Sequence, residues 1–522
     1  MPHSWFRFLT VLFCVALLSA CATLRTDVPR VPSQSLPPDP QSPLGQAAAK
    51  VLEPGQTSAF RLLESGRAAL AARIDLTEKA RRSLDLQYYL FHGDVSGQLL
   101  VDALLRAADR GVRVRVLLDD VDTAESEQAI IALDAHRNIQ IRLYNPFHVR
   151  GNAPLGRALE FLGDKERLNR RMHNKFFLAD GQFGITGGRN IGDQYFQLES
   201  DVSFRDLDIL ASGRVVRDMA TAFDTYWNSE YSVPARALPF EGARRKLLAE
   251  SRAALAAHRD SVRGSLGGYL RLDALGGAAA PGLGPWTAGQ AELLLDDPDK
   301  TAGNTATADL PITRLIRRAA EARREVLIAS PYFVPGRLGT DFLTQLSGRG
   351  VRVRVLTNSL AANDVAVVHA GYARYRLPLL LAGVELNELK PLRQKPGARI
   401  SAGKGSSRAS LHSKALAVDR EWAYVGSMNL DPRSALLNTE AGLLVRGPEL
   451  ARQVARFIEA GMGREQSYLV RLDPDSDLSE RRLLWVEKLG DREVIHTEEP
   501  GAGFLRHFLV DVLSGFDIEE DL

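Results

Sequence analysis

The chain has 522 residues, of which 66 are Lys or Arg and 64 are Asp or Glu, so its net charge is +2. Hydrophobic residues make up 45% and charged residues 25%, which is ordinary for globular proteins and excludes general disorder, a collagen-like repeat and a membrane protein with many spans. The length allows roughly three domains, and the near-zero net charge argues against a generic nucleic-acid-binding protein, which usually has a clear basic excess.

The N-terminus has the pattern of a secretion signal. Arg7 is the only charged residue before position 21, and the residues from Phe8 to Leu18 are almost all apolar. A run of that length is too short to cross a bilayer comfortably and matches the apolar region of a signal peptide. We therefore predict a signal peptide over residues 1–20.

The two cysteines of the chain, Cys14 and Cys21, both lie near this signal, so the body of the chain has no disulfide, cysteine nucleophile or cysteine ligand. Leu18-Ser-Ala-Cys21 resembles the bacterial lipobox, whose cysteine is lipidated and becomes the new N-terminus. We predict a lipoprotein with its lipid on Cys21, located in the cell envelope, anchored to a membrane and facing the periplasm or the exterior. The alternative is a plain cleaved signal peptide with an incidental cysteine.

A proline-rich segment follows the signal. Large apolar residues are few between positions 22 and 45, and this stretch contains Pro29, Pro32, Pro37, Pro38, Pro40 and Pro43. Such a sequence favours extended chain that does not pack into a core. We predict a Pro-rich tether over residues 21–55 that holds the following domain off a membrane surface.

The rest of the chain repeats itself. Gly111-Val-Arg-Val-Arg-Val-Leu-Leu118 recurs 239 residues later as Gly350-Val-Arg-Val-Arg-Val-Leu-Thr357. The body is therefore an internal duplication of two halves. The same offset relates five further pairs, namely His173 and His412, Lys175 and Lys414, Asp180 and Asp419, Gly187 and Gly426, and Asn190 and Asn429.

Each half alternates strands with helices, which predicts an α/β fold with mostly parallel central sheets. The predicted elements of the first half are strands at 83–91, 112–118 and 139–144 with helices at 97–109 and 129–135. Those of the second half are strands at 325–333, 351–357 and 384–389 with helices at 338–347 and 366–381.

These elements predict the domain boundaries. Residues 56–231 form the first lobe, and residues 311–522 form the second lobe with an apolar C-terminal helix at 502–513. Residues 232–310 are predicted to be a connector or insertion, which contains a charged helix near 243–259.

Two matched segments contain the residues that could carry chemistry. They are Met172-His173-Asn-Lys175-x4-Asp180-x6-Gly187-Gly188-x-Asn190 and Leu411-His412-Ser-Lys414-x4-Asp419-x6-Gly426-Ser427-x-Asn429. In a strand, a histidine and a lysine two positions apart project from the same face. Two such halves that face each other would supply two imidazoles, two ammonium groups and two amides around a common point.

That set of groups suits a phosphodiester. Lys175 and Lys414, together with Asn190 and Asn429, could hold the non-bridging oxygens as negative charge shifts in the transition state. One imidazole could attack phosphorus to give a covalent phosphohistidine, and the other could protonate the departing alkoxide. Because the lysines supply the positive charge, we expect neither a metal nor a cofactor.

The duplicated motif His-x-Lys-x4-Asp-x6-Gly-(Gly/Ser)-x-Asn resembles the signature of the phospholipase D superfamily, from about residue 60 to the C-terminus. Segments 167–175, 187–196 and 330–335 look most like the cardiolipin synthase C-type branch. The resemblance implies two phospholipase D-like α/β/α lobes that face each other across one active site. It also implies transfer of a phosphatidyl group, with His173 as the nucleophile and His412 as the acid and base.

Members of this family also use a later acidic residue in each half to orient the histidine of that half. Aligning 206–213 with 440–447 nominates Asp206 and Glu440, with Asp208 as the alternative to Asp206. An imidazole N–H bonded to a carboxylate would fix the tautomer. Asp180 and Asp419 belong to the motif and are included among the catalytic candidates, although their places at strand ends favour a structural role.

The function predicted from this resemblance is a phosphatidyltransferase that forms cardiolipin from phosphatidylglycerol, with or without another phospholipid donor. A phospholipase D that releases phosphatidic acid is the main alternative. A phosphodiester nuclease and a degenerate structural lipoprotein are weaker alternatives. The expected partners are an anionic phospholipid substrate and a membrane surface. Nucleic acid is not expected, and no protein partner is predicted.

Basic residues precede both motifs. The segment 390–410 contains six Lys or Arg and no acid, and Arg167, Arg170 and Arg171 come just before His173. Each cluster either holds anionic headgroups near the site or is an ordinary solvated surface. The sequence leaves both readings open.

Overall fold

The protein is described by a computed structural model. The described residues are 23–52, 54–151, 153–198, 204–266, 273–276, 282–303, 310–363, 365–391, 411–476 and 481–501. The predicted signal peptide, Cys21, most of the basic segment 390–410 and the predicted C-terminal helix lie outside them. Within the described ranges, no helix combines the length and the apolar character that a membrane span requires.

The first lobe is built from eight strands and the helices that cover them. The strands are β1 (Ser58–Leu63), β2 (Ser83–Tyr88), β3 (Arg113–Asp119), β4 (Ile139–Tyr144), β5 (Phe176–Ala179), β6 (Phe183–Gly187), β7 (Asp208–Gly213) and β8 (Ser232–Pro234). The helices are α1 (Pro43–Val51), α2 (Gly66–Lys79), α3 (Val95–Asp109), α4 (Glu127–Asp134), α5 (Pro154–Gly163), α6 (Lys165–Leu168), α7 (Asp193–Phe196), α8 (Arg214–Asn228) and α9 (Arg244–Leu266).

The second lobe repeats this plan. Its strands are β9 (Thr287–Leu295), β10 (Glu325–Ala329), β11 (Arg352–Asn358), β12 (Glu385–Leu389), β13 (Lys414–Val418), β14 (Trp422–Gly426), β15 (Ala441–Arg446), β16 (Ser467–Leu472), β17 (Leu483–Leu489) and β18 (Arg492–His496). Its helices are α10 (Pro311–Ala320), α11 (Gly336–Gly348), α12 (Ala366–Leu381), α13 (Pro432–Leu436) and α14 (Pro448–Met462).

The predicted α/β class is confirmed, but the expectation of mostly parallel sheets is wrong. Among the strands of the described residues, β2–β3–β4 and β10–β11–β12 are paired in parallel, and the other strand pairs are antiparallel. Parallel neighbours need helical crossovers, which the chain supplies between these strands. The motif strands β5 and β6 are joined by a short turn, as are β13 and β14, so each pair forms an antiparallel hairpin.

The predicted connector is part of the sheets. Strand β9 pairs through residues 287–289 with β1 and through residues 290–295 with β15, so it links the sheet of the first lobe to that of the second. Strand β8, which begins at Ser232, pairs with β4 and extends the first sheet beyond the predicted boundary. Helix α9 packs on α3 and α4. The alternation of apolar residues in 232–310 was too weak to reveal these strands.

The prediction of a tether that does not pack is wrong for its described part. Leu44 in α1 is fully buried, and Leu24 is nearly so. Ser33 and Ser35 donate their backbone N–H groups to Asn228 Oδ1 (3.0 Å) and Asp224 Oδ2 (2.7 Å) of α8. An extended proline-rich chain makes no internal hydrogen bonds, so its backbone is free to bond to a neighbouring surface. Residues 23–52 therefore form a strap along the first lobe.

The two lobes share a core. One buried cluster combines residues from both sheets with residues of α8 and α14, including Phe60, Phe223 and Trp227 of the first lobe and Leu443 and Ile458 of the second. Separate clusters fill the space between each sheet and its outer helices. Each sheet therefore lies between helical layers, and the lobes face each other across a packed interface.

Candidate active site

Each motif histidine lies at the carboxyl edge of the parallel strands of its own sheet. Met172 N–H donates to Asp119 Oδ2 at the end of β3 (2.8 Å), and Leu411 N–H donates to Asn358 Oδ1 at the end of β11 (2.9 Å). The apolar residues that follow each lysine in β5 and β13 are buried. Because these residues fix the strands in the core, the His and Lys side chains are left at the edge where the lobes meet.

The backbone of each motif is hydrogen-bonded to the backbone of the other lobe. His173 N–H donates to Thr439 O (2.9 Å), and His412 N–H donates to Arg205 O (3.0 Å). In both cases the acceptor immediately precedes the acidic residue of the opposite lobe. These two bonds therefore set which carboxylate each imidazole can reach.

Each imidazole is bonded to the acid of the opposite lobe. Nδ1 of His173 lies 3.0 and 2.9 Å from Oε1 and Oε2 of Glu440, and Nδ1 of His412 lies 2.7 Å from Oδ2 of Asp206. A carboxylate accepts hydrogen bonds, so each Nδ1 carries the proton and each Nε2 has a lone pair. Both nominated acids are brought to the site.

The expectation that each acid orients the histidine of its own half is wrong. The physical reason is the pair of backbone hydrogen bonds between the lobes. Glu440 follows Thr439, whose carbonyl oxygen accepts the His173 N–H, and Asp206 follows Arg205, whose carbonyl oxygen accepts the His412 N–H. Asp208, the alternative to Asp206, instead pairs with Arg73 at 2.9 Å and does not contact a motif histidine.

The two motif lysines are buried beside the imidazoles. Their side chains donate from Nζ to the carbonyl oxygens of His173 and His412, both at 2.6 Å, and Lys414 Nζ lies 3.2 Å from Nε2 of His412. Burial lowers the pKa of Lys175 to about 7, although the charge of Glu440 opposes this shift. The lysines therefore lie where water is largely excluded, and a bound anion would favour their charged form.

Both imidazoles are neutral near pH 7. Burial lowers their pKa values, and the charges of Lys175 and Lys414 lower them further. The pKa of His412 falls to about 4, while that of His173, which also faces Arg433, falls well below its usual value. Each imidazole responds to the lysines of both lobes, so the two motifs form one electrostatic site.

The two acids differ in charge state. Burial alone would raise the pKa of Asp206, but His412, Arg189 and Lys414 outweigh it and lower that pKa to about 2. Burial raises the pKa of Glu440 to about 7, against the charge of Lys175 and a hydrogen bond from the Ser427 hydroxyl. Asp206 is therefore a carboxylate at all physiological pH values, whereas Glu440 titrates near neutrality.

Asn190 and Asn429 are buried near the site but differ in their contacts. Asn190 Oδ1 accepts the N–H of Leu90 (3.2 Å), and its Nδ2 donates to the Tyr195 hydroxyl (3.0 Å). Asn429 Oδ1 is buried and has no hydrogen-bond partner. Asn190 thus fixes the segment that follows β2, and a contact of either amide with phosphate stays a prediction.

Asp180 and Asp419 do not face the reacting groups. The Asp180 carboxylate accepts the backbone N–H groups of Arg81, Arg82 and Ser83 at 2.8–2.9 Å, where β2 begins. The Asp419 carboxylate accepts the three corresponding N–H groups at the start of β10, at 2.8–2.9 Å. Their oxygens connect the motif hairpin to the neighbouring strand, which favours the structural role, and a catalytic role for either aspartate stays an untested prediction.

Aromatic rings surround the imidazoles, and the sequence did not reveal them. The Tyr89 ring lies 4.9 Å from His173, and the Tyr195 and Phe204 rings lie 5.1 and 5.3 Å from His412. Tyr195 lies in segment 187–196, one of the segments that resemble the family, so the sequence did offer a reason to consider it. Tyr89 and Phe204 lie outside the motifs, and no spacing marked them.

The arginines before the first motif are tied into the protein. Arg167 pairs with Glu160 and Asp164, Arg170 donates to Lys300 O, and Arg171 donates to Asn145 O. These contacts favour a structural role for the three arginines over binding of lipid headgroups. In the described part of the chain, no group of three or more His, Cys, Asp and Glu side chains could hold a metal ion.

Comparison with known proteins agrees with this geometry. The family model described as "Cardiolipin synthase, PLD-like domain" matches residues 74–227 and 315–461, one segment in each lobe. The chain is 40% identical over 468 residues to "Cardiolipin synthase C" of Escherichia coli (strain K12), which covers 89% of this chain and 96% of that protein. It is 28% identical over 403 residues to "Cardiolipin synthase A" of Pseudomonas syringae pv. syringae (strain B728a), covering 77% of this chain and 67% of that protein.

A solved structure shares the fold. The crystal structure of phosphatidylserine synthase from Haemophilus influenzae Rd KW20 matches with a TM-score of 0.54 and 15% sequence identity, and covers 82% of this chain and 91% of that chain. At this identity the likeness concerns the two-lobed fold alone. The family model and the relatives together confirm the resemblance noted in the sequence: the chain belongs to the cardiolipin synthase family of phospholipase D-like proteins.

Proposed function

We propose that the protein is a phosphatidyltransferase that forms cardiolipin from two molecules of phosphatidylglycerol through a covalent phosphohistidine. The observation that carries this proposal is the pair of imidazoles, each held through Nδ1 by the acid of the opposite lobe and each beside a buried lysine. Family membership supports the lipid substrate. Phosphatidylglycerol as both donor and acceptor is the specific part of the proposal.

In the first step, the Nε2 lone pair of His173 attacks phosphorus of a phosphatidylglycerol molecule. An N–P bond forms, the bond between phosphorus and the headgroup oxygen breaks, and His412, which has taken a proton from solvent once the anionic phosphodiester is bound, gives that proton to the departing glycerol oxygen. Lys175 and Lys414 balance the negative charge on the non-bridging oxygens. The products are glycerol and phosphatidyl-His173.

In the second step, a glycerol hydroxyl of another phosphatidylglycerol molecule replaces the imidazole. His412 takes the hydroxyl proton, the oxygen attacks phosphorus, and the N–P bond breaks to return neutral His173. Cardiolipin leaves the site. The sum is two phosphatidylglycerol molecules to one cardiolipin and one glycerol, with both histidines restored.

The difference between the acids supports this assignment of roles. His412 is bonded to Asp206, which stays ionised because its pKa is about 2, so a proton on His412 has a permanent counter-charge. His173 is bonded to Glu440, whose pKa of about 7 makes it a weaker counter-charge, and it also faces Arg433. A negatively charged phosphodiester would favour protonation of His412 first, which leaves His173 with its lone pair.

The enclosed position of the imidazoles favours transfer over hydrolysis. His173 is 8% exposed, and the rings of Tyr89, Tyr195 and Phe204 lie about the two imidazoles. Apolar walls restrict the access of water to the phosphohistidine. Hydrolysis to phosphatidic acid is the competing outcome that an experiment must measure.

We also propose that the signal peptide over residues 1–20 is removed, that Cys21 is lipidated, and that the mature protein is anchored to a membrane of the cell envelope, facing the periplasm or the exterior. The lipobox-like sequence that ends at Cys21 supports this proposal. Growth with a labelled fatty acid should place label on the wild-type protein and none on Cys21→Ser. Label on Cys21→Ser would contradict it.

Purified protein given phosphatidylglycerol in detergent micelles tests the activity, with the lipids resolved by mass spectrometry. We expect cardiolipin and glycerol in equal amounts, and no loss of activity with EDTA because the lysines supply the positive charge. Phosphatidic acid without cardiolipin would show a hydrolase. Cleavage of a nucleic acid or of a simple phosphodiester, with neither lipid product, would contradict the lipid substrate.

A further inference from the structure

Helix α5 presents a row of leucines to solvent. Leu155, Leu159 and Leu162 are 71%, 61% and 75% exposed, and no residue of α5 is buried. Positions separated by four and three residues lie on one face of a helix. Single exposed leucines are ordinary, but three on one face form a continuous apolar surface, which we call the leucine face.

The opposite face of α5 is fixed to the first lobe. Glu160 accepts the backbone N–H groups of His148 (2.8 Å) and Val149 (2.9 Å), and Arg157 donates to Asp120 O (3.0 Å). A Cβ on Gly156 would lie 2.9 Å from Val149 Cγ1, so Val149 packs closely there. The helix is therefore oriented by its polar side, and the leucine face is its outward side.

The strap brings the proposed lipid anchor to this helix. Thr23 forms an antiparallel bridge with Val149, and Leu24 N–H donates to His148 O (2.9 Å). Cys21 precedes Thr23 by two residues, which span at most about 7 Å of chain. A lipid on Cys21 would therefore emerge beside α5.

The same region leads into the site. The chain leaves the first sheet at the end of β4, passes through α5 and α6, and returns to His173 at the edge where the lobes meet. Asn145 Nδ2 donates to the carbonyl oxygens of Arg167 (2.9 Å) and Arg170 (2.8 Å), so the two ends of the segment between β4 and His173 are held together. The leucine face thus lies on a segment whose ends are hydrogen-bonded to each other and which leads to His173, the predicted nucleophile.

We propose that α5 is a membrane-docking helix whose leucine face enters the interface of a phospholipid bilayer beside the lipid of Cys21. Amphipathic helices bind such interfaces by burying their apolar face at the boundary of headgroups and acyl chains. The leucine face is the second contact that holds this edge of the protein against the membrane. The inference rests on the proposed function, because a membrane-resident substrate is what requires docking.

A probe on α5 tests the location directly. The mature protein has no cysteine after Cys21, so Leu159→Cys can be labelled with an environment-sensitive fluorophore and mixed with phosphatidylglycerol vesicles that contain brominated lipid. We expect a blue shift and strong quenching at position 159. The matched control is Leu381→Cys at the end of α12, which is 49% exposed and leads into the amino end of β12, and we expect no quenching there.

The leucines are then replaced together. Leu155→Gln/Leu159→Gln/Leu162→Gln keeps good helix formers, and we expect turnover of phosphatidylglycerol in vesicles to fall on the order of 10-fold while turnover in detergent micelles and the Tm are unchanged. The control Ile316→Gln/Leu381→Gln, on helices α10 and α12, should change neither activity. Intact micelle activity separates failed docking from a failed proposed function, and the fluorescence test does not depend on turnover.

Three results would overturn the proposal. A probe at position 159 that is no more quenched than one at 381 would show that α5 does not enter lipid. Equal losses in vesicles and micelles, or a lowered Tm, would show that the leucines pack against the protein's own chain. A concentration-dependent dimer that the triple variant abolishes, without quenching by lipid, would identify a second copy as the occupant.

Discussion

The two imidazoles of the site are held by equivalent contacts in unequal electrostatic surroundings. His412 is bonded to Asp206, whose pKa is about 2, and His173 is bonded to Glu440, whose pKa burial raises to about 7. The two copies of the motif thus share one geometry, and different supporting residues give their acids different pKa values. The comparison teaches that motif symmetry does not imply equal roles.

One position in the motif shows how the difference arose. Gly188 of the first half corresponds to Ser427 of the second. A Cβ on Gly188 would collide with the Asp206 carboxylate, whereas the Ser427 hydroxyl donates to Glu440. The first half therefore leaves space for its acid, and the second half supports its acid with a hydrogen bond.

The largest expected effects come from the histidines themselves. His173→Ala and His412→Ala should each lower cardiolipin formation by roughly 10⁴-fold or more, because one removes the nucleophile and the other the acid and base. A donor lipid with a p-nitrophenol headgroup distinguishes them, since this leaving group departs without a proton. His412→Ala should still release p-nitrophenol once per enzyme, and His173→Ala should not. The opposite pattern would exchange the two roles.

The motif difference predicts a smaller, unequal pair of effects. Gly188→Ala should lower kcat by roughly 10²-fold because the added methyl group displaces Asp206 from His412, while Ser427→Ala should cost about 10-fold because one charge-assisted hydrogen bond is lost. Steady-state kinetics in micelles measures both, and circular dichroism of each variant is the folding control. Equal losses would show that the acids are supported alike.

The acids should also differ in how stability depends on pH. The pKa of Asp206 is lowered in the folded protein, so its stabilisation is present above about pH 4 and is lost as the pH falls toward 2. The pKa of Glu440 is raised, so its contribution is complete below about pH 4.5 and is lost as the pH rises through 7. Each acid therefore loses its stabilising contribution in a different pH range.

Thermal unfolding between pH 5 and 8 measures this difference. Over that range the Tm of Glu440→Gln should rise relative to the wild type, and the deficit of Asp206→Asn should stay constant. A constant difference for both variants, or a rising relative Tm for Asp206→Asn, would contradict the assigned charge states.

The smallest effect on activity is expected from the motif aspartates. Asp180→Ala and Asp419→Ala each leave three backbone N–H groups without their acceptor, which should lower the free energy of unfolding by about 2 kcal/mol or more. In both variants, kcat per folded molecule should change less than 10-fold. Chemical denaturation and active-site titration separate the two quantities, and a loss like that of His412→Ala would restore a catalytic role.

The sequence predicted what is local or repeated. The 239-residue offset identified the two halves, and the predicted strand at 139–144 and helix at 366–381 match β4 and α12. Regular apolar spacing makes such elements readable. The residues His173 and His412 with their lysines were also identified, because the repeat preserves them together.

Contacts between distant segments were not predictable. Comparison of the two halves aligned Asp206 with Glu440 but could not show that each bonds to the histidine of the other lobe, since that depends on how the lobes pack. The strap was missed for a related reason. Its hydrogen bonds go to Asp224 and Asn228 of α8, about 190 residues away, and leave no periodic pattern in the proline-rich sequence.

Each histidine is bonded to the acid of the opposite lobe, so the relative position of the lobes affects both catalytic steps. A small rigid-body rotation of one lobe against the other would lengthen the His173–Glu440 and His412–Asp206 bonds together, because each bond spans the interface. The core shared by Phe223, Trp227 and Ile458 is what resists such a rotation. Packing far from the phosphate thus determines how precisely both the nucleophile and the acid are aligned. A loosened interface would slow both the formation and the breakdown of the phosphohistidine.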